Sequence, residues 1–468
     1  MLNWIFRVWR SPGVNWAFFL RYVVIVSCVF ALLFLSQRFW YVTIWRVTAN
    51  WGSTALRVAV RLVYTATLLA IILVTAEGFP MGRRQLFVRG TLLTSLAGLW
   101  FSSALFAYLA VKAVRGVERV WRWLHRVRRS HARAASGDRS LGPSVPYSSV
   151  EQLVDPSRRY FFRTASIAAG AAPFLGVMYG FAAERLNYQV RRVEIPLSNL
   201  PDSLDGMKIA QLSDIHLSGY MSRSQVRRAV DMTNDLGADL TVVTGDFITG
   251  PGDPLADCID EIRRLEAPLG VWGCNGNHEI YARAEDAAQS LFSQGGMRLL
   301  RSENAQITFR GAPFNLIGVD YQRERTPGGR RLQMLAETGR LVRPDMPNIL
   351  LSHNPNSFDR AAELGIELSL AGHTHGGQIQ VEILDHRLSP ARFITDYIAG
   401  TYRRPRFAAA QEDRTWQRFG KRVDLSLANL EPAHGHSILY VNRGLGTVGA
   451  PVRLGVPPEI SLLVLRRA

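Results

Sequence analysis

Three long apolar runs fall within the first 111 residues, and no other feature of this 468-residue chain limits its fold so sharply. They are WAFFLRYVVIVSCVFALLFL at 16–35, ALRVAVRLVYTATLLAIILVTA at 55–76 and TLLTSLAGLWFSSALFAYLAV at 91–111. Each is long enough as a helix to cross about 30 Å of hydrocarbon. Arg21 and Arg61 lie near the ends of runs, where a long stem reaches the interface. Trp4, Trp9, Trp16, Trp40, Trp45 and Trp51 surround the first two runs, as interfacial anchors do. Buried helices of a soluble protein rarely give three such runs in so short a stretch, so a membrane region is expected over 1–185.

A fourth run, SRRYFFRTASIAAGAAPFLGVMYGFA at 157–182, is richer in Ala and Gly. It opens on Ser157-Arg158-Arg159-Tyr160-Phe161-Phe162, which fits either a twin-arginine export signal or a fourth span with basic flanks. Both readings give one topology. The segment 112–133, KAVRGVERVWRWLHRVRRSHAR, carries eight Lys/Arg against one Glu and is read as a basic loop. The positive-inside rule puts that loop in the cytoplasm. Counting spans from it places everything after residue 185 outside, in a multi-pass protein of the inner (plasma) membrane. Arg83, Arg84 and Arg89 then fall on the outside, against the rule. Residues 135–149 read as a flexible linker.

The formal net charge of +17 raises the question of a nucleic-acid partner. Residues 1–189 hold 23 Lys/Arg and 6 Asp/Glu, whereas 190–468 hold 32 of each. The excess therefore sits beside the apolar runs, and no nucleic-acid partner is expected. Cys28, Cys258 and Cys274 have no CxxC spacing, so neither a disulfide framework nor a cysteine zinc site is implied.

From residue 190 onward strand-like runs alternate with helical ones, the pattern of an α/β domain. Strands are expected at 208–214, 239–246, 270–274, 314–320, 348–354, 367–373, 437–442 and 459–465, with helices at 222–237 and 253–266. Weak helical signals between the later strands predict a second, more antiparallel sheet. Five strands end alike: Asp214 and His216 in SDIHL, Asp246 in TGDF, Asn277 and His278 in CNGNHE, His353 in SHN, and His373 and His375 in AGHTH. Ligands of α/β sheets gather at the carboxyl ends of strands. Carboxylate, imidazole and amide oxygen suit a pair of divalent cations, and Asp can bridge them. An i, i+2 pair in extended chain points both side chains one way, which would make Asp214/His216 and His373/His375 chelating pairs. Glycines 245, 276, 372, 376 and 377 would let backbone turn close to the site. A lone His or Asp at a strand end is usually only solvated. The conjunction of five ends, holding five of the ten histidines, is what points to metal.

The ordered set D-x-H, G-D, G-N-H-E, S-H-N-P and G-H-T-H-G-G-Q resembles the calcineurin-like metallophosphoesterases, and the ending YVNRGLGTVGAPVRLGVPPEISLL at 440–463 resembles their membrane-associated bacterial branch. The resemblance covers roughly 190–465. It implies a sandwich of two mixed β-sheets flanked by helices, with two divalent ions (Mn, Fe, Zn or Ni) at the strand ends. Carried over, it puts Asp214, His216, Asp246 and His375 on one ion and Asp246, Asn277, His353 and His373 on the other. His278 would assist the leaving group. A water shared by the ions would attack phosphorus. Asp320, Asn354, Asn442 and Arg443 are weaker candidates for substrate binding. The segment 400–435 is longer than the family pattern and mixes basic and aromatic residues, so it reads as a lipid contact, a cap over the site, or a surface insertion. The expected activity is hydrolysis of a lipid or cell-envelope phosphoester, with membrane lipids as partners. The alternatives are a cytoplasm-facing pyrophosphatase of a nucleotide-linked lipid sugar and a non-catalytic membrane sensor.

Overall fold

The computed structural model describes residues 16–78, 86–135, 156–198, 200–324, 326, 332–383, 386–393, 395–405 and 435–468. Most of the linker and most of the 400–435 insertion, with Trp4, Trp9, Arg83 and Arg84, lie outside them. The chain divides into two compact units, one of residues 16–80 and 93–178, the other centred on 179–468.

The first unit holds helices α1 (Trp16–Thr48), α2 (Thr54–Gly78), α3 (Leu86–Ala135) and α4 (Pro156–Ala182). Among the described residues, Ser27–Thr48 and Ser157–Leu186 are long and apolar enough to cross a membrane, and both are largely unburied. The helices alternate in direction. Trp100 Nε1 donates to Gln37 Oε1 and Trp40 Nε1 to the Ala104 carbonyl, so α1 and α3 run parallel. Arg61 reaches back to Thr48 Oγ1 and the Trp45 carbonyl, so α2 runs against α1. Trp40 stands 6.0 Å from Phe174, and Gly170 leaves just the space that Trp40 and Val111 fill. Trp100 packs on Phe174, whereas Val111, farther along α3, meets Gly170, earlier on α4, so α4 runs against α3. The expected basic loop at 112–133 is helical, a continuation of α3. Arg, Lys, Leu and Trp sustain a helix, no proline interrupts them, and Arg122 pairs with Glu118 one turn away at 3.3 Å.

The second unit is built on two six-stranded mixed sheets. The first, in the order β1-β14-β2-β3-β4-β5, uses β1 (Gln189–Leu197), β2 (Lys208–Leu212), β3 (Leu240–Val243), β4 (Val271–Gly273), β5 (Arg298–Leu299) and β14 (Glu459–Arg467). Strands β2 to β5 are mutually parallel. Helices α5 (Arg223–Asn234), α6 (Leu255–Ile262), α7 (Asn277–Ala282) and α8 (Glu285–Gln294) connect them. α5 starts on a capping box in which Ser222 Oγ accepts from the Gln225 N–H and the Gln225 side chain reaches back. The second sheet runs β12-β13-β9-β8-β7-β6. Its strands are β6 (Glu303–Phe309), β7 (Ala312–Gly318), β8 (Asn348–Leu351), β9 (Leu368–Ala371), β12 (Gly400–Pro405) and β13 (His436–Val441). β10 (Val381–Ile383) and β11 (His386–Leu388) pair on their own.

The second sheet is the more antiparallel of the two, as expected, but by one pair only, since the first has the single antiparallel pair β14–β2. In the second, β7, β8, β9 and β13 run parallel, and only the two edge pairs are antiparallel. A parallel crossover needs a dozen or more residues but no long helix. The β8–β9 crossover carries α9 (Phe358–Glu363), six residues that are too few to show a 3.6-residue period. Alternation along the strands fills the two faces. Ile209, Val242, Ile349, Leu351, Leu368 and Leu370 meet between the sheets. Leu212 and Val243 turn instead to Val230 of α5, Ile259 of α6 and Phe292 of α8. The sheets are thus clamped from both sides, and the loops leaving their parallel strands hold the polar cluster.

Candidate metal centre

Each strand ends just before its chemistry begins. β2 stops at Leu212 and Asp214 follows; β3 stops at Val243 and Asp246 follows; β4 stops at Gly273, and Asn277 and His278 open α7. β8 stops at Leu351 before His353, and β9 at Ala371 before His373 and His375. The expected extended i, i+2 geometry is not what aims these side chains. Asp214, His216, Asp246, His373 and His375 all have φ between 50° and 73°, the left-handed region. Asp and His tolerate it better than most residues, yet each such position costs about 1–3 kcal/mol and tends to cluster at functional sites. Cross-loop hydrogen bonds hold them there. Asp214 N–H donates to the Gly245 carbonyl and His216 N–H to the Asp246 carbonyl, each at 3.0 Å. His373 N–H donates to Asp214 Oδ1 at 2.9 Å, and His278 N–H to Asp246 Oδ1 at 2.9 Å. Each carboxylate is therefore oriented by the backbone of a later loop. Glycine is needed where loops touch: a Cβ on Gly276 or Gly372 would overlap the Asp246 or Asp214 carboxylate.

Donor atoms of Asp214, His216 and His375 lie within 4.8 Å of one another, and so do those of Asp246, His353 and His373. A third group joins His216, Asp246 and His278. The sequence reading keeps His278 out of the ligand set, and the structure brings it within the same range. His216 Nε2 and His375 Nε2 face each other at 3.1 Å. Two nitrogens bound to one cation at about 2.0–2.1 Å sit at roughly that separation. His375 Nε2 is 3.4 Å from Asp214 Oδ1, His216 Nε2 3.5 Å from Asp246 Oδ2, and His353 Nε2 3.0 Å from Asp246 Oδ2. Asn277 Oδ1 is buried with no donor facing it. A cation satisfies such an orphaned acceptor, so the donor set fits two divalent ions that share Asp246.

Burial sets the protonation. It lowers His216 to about 3, His373 to about 4 and His375 well below the usual imidazole range, so these rings stay neutral, the form that ligates. His353 is the exception. Burial opposes its charge, but the Asp246 and Asp214 carboxylates push it up to about 10. Its Nδ1 lies 2.6 Å from the Thr244 carbonyl oxygen and must donate to it, leaving Nε2 aimed at Asp246. His278 Nδ1 likewise donates to the Thr249 carbonyl at 2.5 Å.

The four weaker candidates each make structural contacts. Asp320 accepts from Arg301 Nε at 2.9 Å and from Asn275 Nδ2 at 2.8 Å. Asn354 caps the turn after β8 by accepting from the Asn356 N–H and donates to the Gln322 carbonyl. Asn442 is fully buried between Ser461 Oγ and the Gly444 N–H. Arg443 lies 3.3 Å from the buried Glu459 carboxylate.

Three residues went unread in the sequence. Glu279 is buried, and its two oxygens accept from the N–H groups of Asp246, Phe247, Ile248 and Gly276. Burial and the Asp246 charge push its carboxyl up to about 7. It holds the Asp246 loop against the start of α7. Its only signal was its place directly after His278. Arg453 is buried, pairs with no carboxylate among the described residues, and donates to the carbonyls of Arg443, Gly444, Gly446 and Val456. It shapes the loop that crosses Asp214. Tyr321 lies 5.3 Å, ring to ring, from His373. Nothing in the sequence marked either of the last two.

Residues 207–377 match the family model of the calcineurin-like phosphoesterases. A transmembrane protein with metallophosphoesterase domain from Danio rerio is 28% identical over 317 residues, which cover 66% of this chain and 64% of that protein. The chain thus spans less than two thirds of that relative's length. An uncharacterized metallophosphoesterase of Bacillus subtilis (strain 168) is 29% identical over 66% of this chain and 98% of its own. A UDP-2,3-diacylglucosamine pyrophosphatase of Chlamydia trachomatis is 24% identical over 63% of this chain and 94% of its own.

Proposed function

We propose that this chain, whose residues 207–377 form a calcineurin-like phosphoesterase domain, is a membrane-anchored dinuclear-metal phosphohydrolase acting on a lipid or cell-envelope phosphoester. The observation that carries the reading is the pair of donor clusters, Asp214/His216/His375 and Asp246/His353/His373, closed by the orphaned Asn277 oxygen. Two divalent cations in such a set supply Lewis acidity toward phosphoryl oxygens and a nucleophilic water at neutral pH.

The protein's own groups do the rest. Asp214 and Asp246 supply the anionic charge that the cations need. The Thr244 carbonyl fixes the His353 tautomer. His278, anchored through Nδ1, keeps Nε2 for a proton that passes to the leaving-group oxygen, a role worth about 10²–10⁴-fold. Tyr281 stands 5.6 Å from the His278 ring and Arg323 lies over Tyr281. An aromatic and cationic rim suits an anionic phosphoester with an organic leaving group.

The helical unit supports an inner-membrane, multi-pass placement. The end of α1, the start of α2, the basic stretch of α3 and the start of α4 share one end of the bundle. Arg46, Arg57, Arg61, the 112–133 cluster, Arg158, Arg159 and Arg163 therefore gather on one side. The positive-inside rule makes that side cytoplasmic, and the chain then leaves α4 on the extracytoplasmic side. A reporter fused after Ala468 tests this. Activity of a periplasmic-type reporter is expected, and activity only of a cytoplasmic one overturns the orientation.

The pyrophosphatase named among the relatives favours a second reading, hydrolysis of a diphosphate linked to a lipid sugar. Full-length protein, stripped and reloaded with Mn, Fe, Zn or Ni, separates the readings on a panel of aryl phosphomonoesters, aryl phosphodiesters, phospholipids and a lipid-linked diphosphate. Turnover that follows metal loading is expected. Retained metal with no hydrolysis of any member overturns the enzyme reading and leaves a metal-bearing sensor.

A further inference from the structure

The helical unit contains a cleft of about 900 Å³ walled by α1, α3 and α4. Its two ends differ in chemistry. At one end stand Arg115, Arg119 and Arg122 of α3 and Arg159 and Arg163 of α4. The three on α3 are spaced i, i+4 and i+7, and the two on α4 i and i+4, so each set shares a helix face. Arg122 pairs with Glu118, whose carboxylate also lines the cleft, so the net charge there comes from the other four. Among the described residues the other four meet no carboxylate. Arg115 lies over the Phe39 ring, 5.4 Å from its centroid. Toward the other end the walls become apolar: Trp40, Val111, Gly170 and Phe174. On α4 the change runs from Arg159 and Arg163 through Ser166 to Gly170 and Phe174. At 1.5 Å per residue, Arg163 to Phe174 spans about 16 Å, close to half of the ~30 Å hydrocarbon core.

We infer that this cleft binds one anionic phospholipid of the bilayer. Its phosphate sits among the five arginines and one acyl chain lies along Trp40, Val111, Gly170 and Phe174. Charge and shape select the occupant together. A soluble anion would use the arginines and leave the apolar wall wet. A neutral lipid would cover the wall and leave four guanidinium groups at the low-dielectric boundary without an anion. Arginine matches phosphate with a planar fork of donors, which a diffuse basic surface does not need. Basic residues elsewhere on the helix, such as Arg126 and Arg128, do not line the cleft and serve as controls. The inference rests on the membrane reading of the helices and is independent of the hydrolytic one.

The test is native mass spectrometry of full-length protein, delipidated in detergent and titrated with phosphatidylglycerol or phosphatidylcholine of identical chains. Wild type should hold one phosphatidylglycerol at least tenfold more tightly than phosphatidylcholine. Arg119→Gln with Arg163→Gln should abolish that preference, while Arg126→Gln with Arg128→Gln, an equal loss of charge, should leave it. Ser166→Trp, which fills the cleft, should weaken both lipids. Equal effects of the two arginine pairs, or equal binding of the two lipids by wild type, overturn the site. Release of wild type from membranes by alkaline carbonate would instead overturn the membrane reading. Detergent thermal melts of every variant that match wild type show that the substitutions left the bundle intact.

Discussion

The two units of this chain place their charges by opposite rules. In the helical unit basic residues outnumber acidic ones and gather at one end of the bundle, and most that are described have no acidic partner. In the α/β unit the balance is even, and the charges that matter are buried and held by several partners each. Asp246 faces His216 and His353. Glu261, 1% exposed at its side chain, is held by Arg223, Arg227 and Arg264. The contrast teaches what fixes a charge in each setting. At a bilayer, position along the normal is enough, because water and phosphate complete the coordination. Inside a sandwich, an ion must be partnered or it neutralises.

The sharpest break of this contrast is Asp246→Asn. It removes the carboxylate shared by both donor clusters. Metal content should fall below one ion per chain and turnover by on the order of 10⁴-fold, while membrane retention is unchanged. Next comes His278→Ala. Both ions should remain, with turnover of poor leaving groups down about 10²–10⁴-fold. Since His278 shares a donor cluster with His216 and Asp246, elemental analysis decides between leaving-group and ligand roles, and metal loss assigns it to the ligands. Glu279→Gln replaces an acceptor of four N–H groups by one that carries a donor of its own. Metal affinity should drop about 10–100-fold, the usual cost of disturbing what orients ligands, measured by competition with a chelator.

The smallest effect tests the charge rule away from the centre. The three arginines lower the Glu261 carboxyl to about 2, against the burial that would raise it. A depressed folded-state pKa gives stability that is present above the unfolded value of about 4.3. It fades as pH falls from there toward 2. Glu261→Gln should cost about 1–3 kcal/mol at pH 7, and the gap to wild type in urea melts should close below pH 3. A gap independent of pH would show that packing, not the ion cluster, is what was lost. The same substitution should leave the helical unit's lipid binding untouched.

Much of the site was legible because ligand types recur at strand ends, a pattern that survives in one dimension. Asp214, His216, Asp246, Asn277, His353, His373 and His375 are all brought together where the strands suggested. The reason for their convergence was not legible. Extended alternation would have aimed the pairs; left-handed turns locked by cross-loop hydrogen bonds do so instead, and those bonds join residues up to 159 positions apart. The same distance problem hid the partners of the weaker candidates. Asp320 looked free until Arg301 and Asn275 closed on it, and Asn442 until Ser461 did. Glu279 was invisible as an anchor because its partners are backbone N–H groups, which every residue carries.

The fold divides the same way. Hydrophobic runs of span length, the alternation of strands with helices and the one-sided charge are properties of neighbours in sequence, and sequence alone determined them. Whether 112–133 is loop or helix, whether the second sheet runs parallel, and which wall each arginine faces depend on what packs alongside, so only the tertiary structure decided them. The two cases differ in range. Periodicity and composition act within a turn or a strand, whereas register, protonation and ligand geometry are set by groups that meet only after the chain has folded.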